Sequence, residues 1–116
     1  ADRAQNIDMI AIHHMGATLT VEQCGNVFMN KSRKASSNYG IGSDGRIALY
    51  VEECNRSWCT STHLVDQRAV TIEVANSEAK EPWKVSDKAY EALINLCADI
   101  CKRNNIKELK WSPKIL

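Results

Sequence analysis

A chain of 116 residues, 44% hydrophobic and 25% charged, has the composition of one soluble globular domain and lacks the length for two ordinary ones. A domain of this size buries about two-thirds of the surface its unfolded chain exposes, so it can fold without staples. The net charge of +1 gives no basis for nucleic-acid binding or a polybasic membrane patch, and no apolar run approaches the ~18 residues of a membrane helix.

The opening "ADRAQNID" has no apolar run of the signal-peptide kind, and the five cysteines form no Cys-x-x-Cys pair. Synthesis in a reducing cytoplasm is expected, with a Cys54–Cys59 bridge left open. From Asp8 to His13 the chain predicts a strand, with Met9, Ala11 and His13 on one face and Ile10, Ile12 and His14 on the other. Being apolar on both faces up to the histidines, it is expected inside a sheet, near the later strand containing Ile72 and Val74. A helix follows: Thr20 and Gln23 stand at capping-box spacing, and Val21, Cys24, Val27 and Phe28 recur at helical intervals. It fades near Asn30, before a basic loop with Lys31, Arg33 and Lys34 that reads as a solvated segment.

"SSNYGIGSDGRIALYVEE" predicts a hairpin about Asp44-Gly45. "CNRSWCTSTHLVDQR" has no period and predicts a loop, in which Asp66 and Arg68 are placed to bridge. "AVTIEVAN" predicts a strand. Beyond Pro82 and Trp83, Ser86 is a good N-cap for a helix from Asp87 to about Arg103. That helix is expected to pack through Tyr90, Leu93, Ile94, Cys97, Ile100 and Cys101, and to end at Asn104-Asn105. "IKELKWSPKIL" predicts the start of one more strand, interrupted by Pro113, and the apolar end Ile115-Leu116 reads as a cut rather than a finished terminus. Strands alternating with helices, plus one hairpin, imply an α/β fold: a mixed sheet with helices on its faces.

Two features carry chemistry, the histidine pair and Glu73. Neutral imidazole is the commonest metal ligand, and a strand end holds His13 and His14 with precision, though strand-end histidines also serve as simple hydrogen-bonding groups. Glu73 lies in a β-branched strand, where a carboxylate is costly to bury without a partner or a task; a glutamate beside a metal-activated water is a familiar general base. His63, in a polar loop, reads as a surface histidine. Trp58 and Trp83 either line a groove or pack beneath loops. No phosphate-binding glycine loop, nucleophile elbow or paired-cysteine zinc knuckle is present.

The blocks "IAIHHMGAT", "ASSNYGIGSDGRIALYVEECNRSW", "RAVTIEVAN" and "WKVSDKAYEALINLCADICKRNNI", in that order, resemble the zinc-dependent N-acetylmuramoyl-L-alanine amidases of the type 2 family, especially phage endolysins and prophage autolysins. Peptidoglycan recognition proteins share that fold. The resemblance implies a central mixed sheet flanked by helices over residues 1–116 as an amidase catalytic domain, C-terminally incomplete. It implies Zn2+ as cofactor with His13 as a ligand, His14 as a neighbour only, and Glu73 as catalytic base. It also implies peptidoglycan or muropeptide as substrate, cleaved between N-acetylmuramic acid and L-alanine in lysis of the cell wall. The alternatives are a non-catalytic peptidoglycan-binding module of the same fold, or a cytoplasmic amidase that recycles soluble muropeptides.

Three departures stand out. The position before Asn38, a catalytic tyrosine in other branches, is Ser37; the pair after the hairpin, Trp-His in many relatives, is Trp58-Cys59; and the second and third zinc ligands, which the family draws from beyond the long helix, are not in the chain. His63 matches neither missing position. A single imidazole is not expected to hold zinc tightly, and any further ligand would be sought at His14, His63 or Cys59.

Overall fold

The structure, a computed structural model, describes residues 6–29, 35–60 and 63–110. Its strands are β1 (Met9–His14), β2 (Tyr39–Ile41), β3 (Ile47–Leu49) and β4 (Ala69–Val74), and its helices are α1 (Val21–Met29), α2 (His63–Arg68) and α3 (Asp87–Arg103). The four strands form one mixed sheet in the order β1-β4-β2-β3, with β4 parallel to both neighbours and β2-β3 an antiparallel hairpin. The expected α/β architecture is therefore present, a mixed sheet between helices.

Local signals account for the elements. Thr20 and Gln23 cap α1 reciprocally: Gln23 N–H donates to Thr20 Oγ1 at 3.1 Å, and Thr20 N–H to Gln23 Oε1 at 2.9 Å. The hairpin turns at Gly45, whose φ of 85° lies in the left-handed region that glycine enters without strain. Ser86 Oγ caps α3 by accepting from Ala89 N–H at 3.1 Å. At the other end Asn105 takes φ 56° and Ile106 N–H reaches Cys101 C=O at 2.9 Å, the closing bond of a Schellman turn.

β4 is the central strand, and its two faces meet different things. Val70, Ile72 and Val74 join Ile41, Ala89, Leu96 and Ile100 in the core beneath α3. Thr71 and Glu73 face the other way, Thr71 toward Asn38 and Ser57 and Glu73 toward His13 and Cys59; α1 packs over β2 and β3. There the Tyr50 hydroxyl donates to Val21 C=O at 2.6 Å, and the ring fills the space where a Cβ on Gly40 or Gly25 would stand.

Four expectations are corrected. β1 does lie beside β4, but among the described residues it is at the edge of the sheet and not inside it; of its residues only Ile10 reaches the core, and Ile12 is 50% exposed. A run of apolar residues marks a strand without saying how many neighbours it has. The segment before β4 is not all loop: six residues form α2, too short a helix to show a period. In it Asp66 and Arg68 do not bridge; two residues apart on a helix they diverge, Arg68 pairing with Asp8 at 3.0 Å and Asp66 accepting from Thr60. Finally, Leu93, Cys97 and Ile100 of α3 pack on the core as expected, but Ala89 and Leu96 join them there in place of Tyr90 and Ile94, which are 59% and 51% exposed. Ala89 is wholly buried against the sheet, on the face of α3 away from Tyr90 and Ile94. No strand forms over residues 106–110; residues 111–116 and the basic segment 31–34 lie outside the described residues.

Candidate metal and catalytic site

Parallel register puts His13 directly opposite Glu73, and register partners project to the same side of a sheet. Their side chains meet with His13 Nδ1 4.0 Å from Glu73 Oε1. His14, one residue on, projects to the opposite face and stacks on Trp83, with centroids 5.8 Å apart and planes 17° from parallel. The two adjacent histidines are thus separated by the pleat: one faces the carboxylate and the other supports a loop.

A third group arrives from the segment between β3 and α2. Cys59 Sγ donates to Glu73 Oε1 at 3.5 Å, and one donor atom each from His13, Cys59 and Glu73 lies within 4.8 Å of the other two. Imidazole nitrogen, sulfur and carboxylate oxygen are zinc's ligand types, so the residues present fit that metal. Sequence reasoning noted Cys59 only as a departure and a fallback; the signal was one zinc-ligand residue type standing where relatives carry another.

The electrostatics follow from burial. Glu73, only 16% exposed in its side chain, has its pKa raised by desolvation, with the Cys59 hydrogen bond and the His13 and His14 imidazoles acting to lower it. Burial also pushes the Cys59 thiol up to about 12, and the carboxylates of Glu73 and Asp66 add to the effect. Burial without a metal thus favours the protonated thiol over the thiolate.

Beneath these groups runs a buried polar network. Asn38 Oδ1 accepts from Thr71 N–H at 3.1 Å, while its Nδ2 donates to the carbonyls of Val51, Glu52 and Asn55. Ser57 Oγ and Thr71 Oγ1 lie 2.6 Å apart, and Ser37 Oγ donates to Tyr39 C=O at 2.9 Å. Ser37, in the position that is tyrosine in some branches, is wholly buried in this network. Trp58 is half exposed, with the Arg56 guanidinium 5.9 Å over its ring. The Cys54–Cys59 bridge is not formed: all five cysteines are free, and Cys54 Sγ turns to Glu52. The side chain of His63 lies outside the described part. Among the described residues no helix is long and apolar enough to cross a membrane.

The family described as Amidase_2, N-acetylmuramoyl-L-alanine amidase, matches residues 3–112. Among solved structures, the N-acetylmuramoyl-L-alanine amidase LysC from Clostridium intestinale URNW superposes with a TM-score of 0.70 at 25% identity, over 90% of this chain and 69% of that one. The endolysine LysCS from the same organism gives 0.68 at 25% identity, over 90% and 68%. Peptidoglycan recognition protein SA of Drosophila shares the fold, with a TM-score of 0.69 at 21% identity over 93% and 66%. No curated protein sequence matches. With the family's signature spread over nearly its whole length, the chain belongs to the N-acetylmuramoyl-L-alanine amidase family.

Proposed function

We propose that residues 1–116 form an amidase catalytic domain that hydrolyses the amide joining the lactyl group of N-acetylmuramic acid to L-alanine of the peptidoglycan stem peptide. Family membership supports the peptidoglycan amidase class. The single observation that carries the residue assignment is the register pairing of His13 with Glu73 on one face, with a side-chain approach of 4.0 Å. Likeness to LysCS, named an endolysine, supports a place in phage or prophage lysis of the cell wall.

In this reading His13 is a zinc ligand and Glu73 the general base. Zinc bound there supplies Lewis acidity, lowering the pKa of a water from ~16 toward ~7 and polarising the scissile carbonyl. Glu73 Oε1 orients the attacking water and accepts its proton as the oxygen–carbon bond forms. It then returns that proton to the departing alanine nitrogen as the carbon–nitrogen bond breaks. The upward direction of its pKa suits both transfers, since a carboxylate of higher pKa is a stronger base.

The test is incubation of the chain with an N-acetylmuramoyl pentapeptide and zinc, with mass spectrometry for free stem peptide. Turnover should require zinc and vanish in His13→Ala. Glu73→Gln should keep zinc and lose ~10²–10⁴ in rate, the range for a lost general base. His63→Ala should leave the rate near that of the parent. Full activity in Glu73→Gln, or turnover indifferent to a chelator, would overturn the reading.

A further inference from the structure

We propose that Cys59 is a metal ligand of this chain, holding the ion together with His13 where the ends of β1 and β4 meet the segment before α2. The inference rests on the amidase reading for the identity of the metal, and adds a protein donor to the one imidazole that the resemblance assigns. Glu73 stays beside the ion as the base.

Distance supports it. Donors on a tetrahedral zinc, with bonds of ~2.0–2.3 Å, stand roughly 3.3–3.8 Å apart. The two proposed donors, an imidazole nitrogen of His13 and Cys59 Sγ, fall within 4.8 Å of each other, and Glu73 Oε1 stands beside them, 3.5 Å from the sulfur and 4.0 Å from His13 Nδ1. Small side-chain movements therefore suffice to close the cluster about one ion.

Placement of the backbone supports it independently. A ligand must be held within a fraction of an ångström, and loops seldom do so without help. Here each neighbour of Cys59 is tied down. Ser57 Oγ is bonded to Thr71 Oγ1 on β4, Trp58 and Ser36 exchange bonds of 2.9 and 3.1 Å, and both the amide and hydroxyl of Thr60 donate to Asp66. These bonds fix the backbone on both sides of Cys59. They are the kind of outer support that metal ligands have.

Coordination exchanges the S–H bond for a metal–sulfur bond. The proton leaves by way of Glu73 Oε1, which already accepts it, and passes to solvent.

The test reads the metal and not the turnover. Cobalt(II) added to the metal-free chain should produce the near-ultraviolet thiolate-to-cobalt charge-transfer band, retained in Cys54→Ser and lost in Cys59→Ser. Zinc affinity of Cys59→Ser should fall by at least the ~10–100-fold typical of losing a ligand's supporting partner. The unmodified chain offers a check free of folding defects: zinc should protect Cys59, but not the exposed Cys54, from iodoacetamide, as located by peptide mass mapping. Failure of the chain to bind either metal, a band that persists in Cys59→Ser, or alkylation of Cys59 unchanged by zinc overturns the proposal. Zinc-dependent turnover without protection would remove Cys59 as a ligand and leave the amidase reading intact. Protection without turnover would do the reverse.

Discussion

A carboxylate at position 73 interrupts a strand whose Ala69, Val70, Thr71, Ile72 and Val74 are all buried. Desolvation of the charged form raises its pKa, so the folded chain binds its proton more tightly than the unfolded chain does. The stability linked to that proton is fully present below the unfolded pKa, near 4.5, and is lost as pH rises through the higher folded value. Glutamine cannot ionise and escapes this loss. With a chelator present, Glu73→Gln should therefore gain stability relative to the parent as pH rises from the acid side of the carboxylate range to neutrality. Urea unfolding at several pH values would show it, and a difference independent of pH would contradict it.

Among the elements, α3 and the segment joining β3 to α2 are held by opposite means. The helix is specified locally: its cap, its apolar stripe and its Schellman turn are all written within a few residues of where they act. Ser86→Ala should cost ~1 kcal/mol, as N-cap losses usually do, seen as a lower urea midpoint with unchanged slope. The segment before α2 depends on Asn38, which stands 13–17 residues from the carbonyls it satisfies and 33 from the Thr71 amide it accepts from. Removing that side chain leaves several buried groups unpartnered at ~1–3 kcal/mol each. Asn38→Ala should thus destabilise the chain more than Ser86→Ala, a ranking that the same unfolding measurements decide.

At the scale of the whole molecule, α1 and the sheet are joined through one aromatic ring. Tyr50 lies over Gly40 and Gly25, its hydroxyl bonded to Val21 C=O, and Phe28 meets it edge-on at 5.6 Å and 74°. A Cβ at Gly40 would stand 2.5 Å from the Tyr50 hydroxyl and 2.6 Å from Cε2. That ring is wedged between α1 and β2 and cannot yield without moving the helix. Gly40→Ala should cost ~1–3 kcal/mol by overpacking. Because Gly40 is also the register partner of Glu73, the variant should weaken zinc binding in proportion to how far β2 and β4 shift. A fully stable Gly40→Ala chain would show the ring to be free to move.

Most of what is periodic or capped was legible in the sequence: β1 and β4 from their apolar runs, α1 from its capping box, the hairpin from Asp44-Gly45, and α3 from Ser86 to Asn105. Family blocks added the roles expected of His13 and Glu73. These signals are local, set by chain geometry within a few residues. What only the tertiary structure decided was non-local: that β1 is an edge among the described strands, that α3 turns Ala89 and not Tyr90 to the sheet, and that Cys59 joins His13 and Glu73. No spacing along the chain announces that last contact, because Cys59 lies 46 residues from His13 and 14 from Glu73. It is brought there by a strand register and by side-chain bonds to backbone groups that mean nothing until the chain has folded.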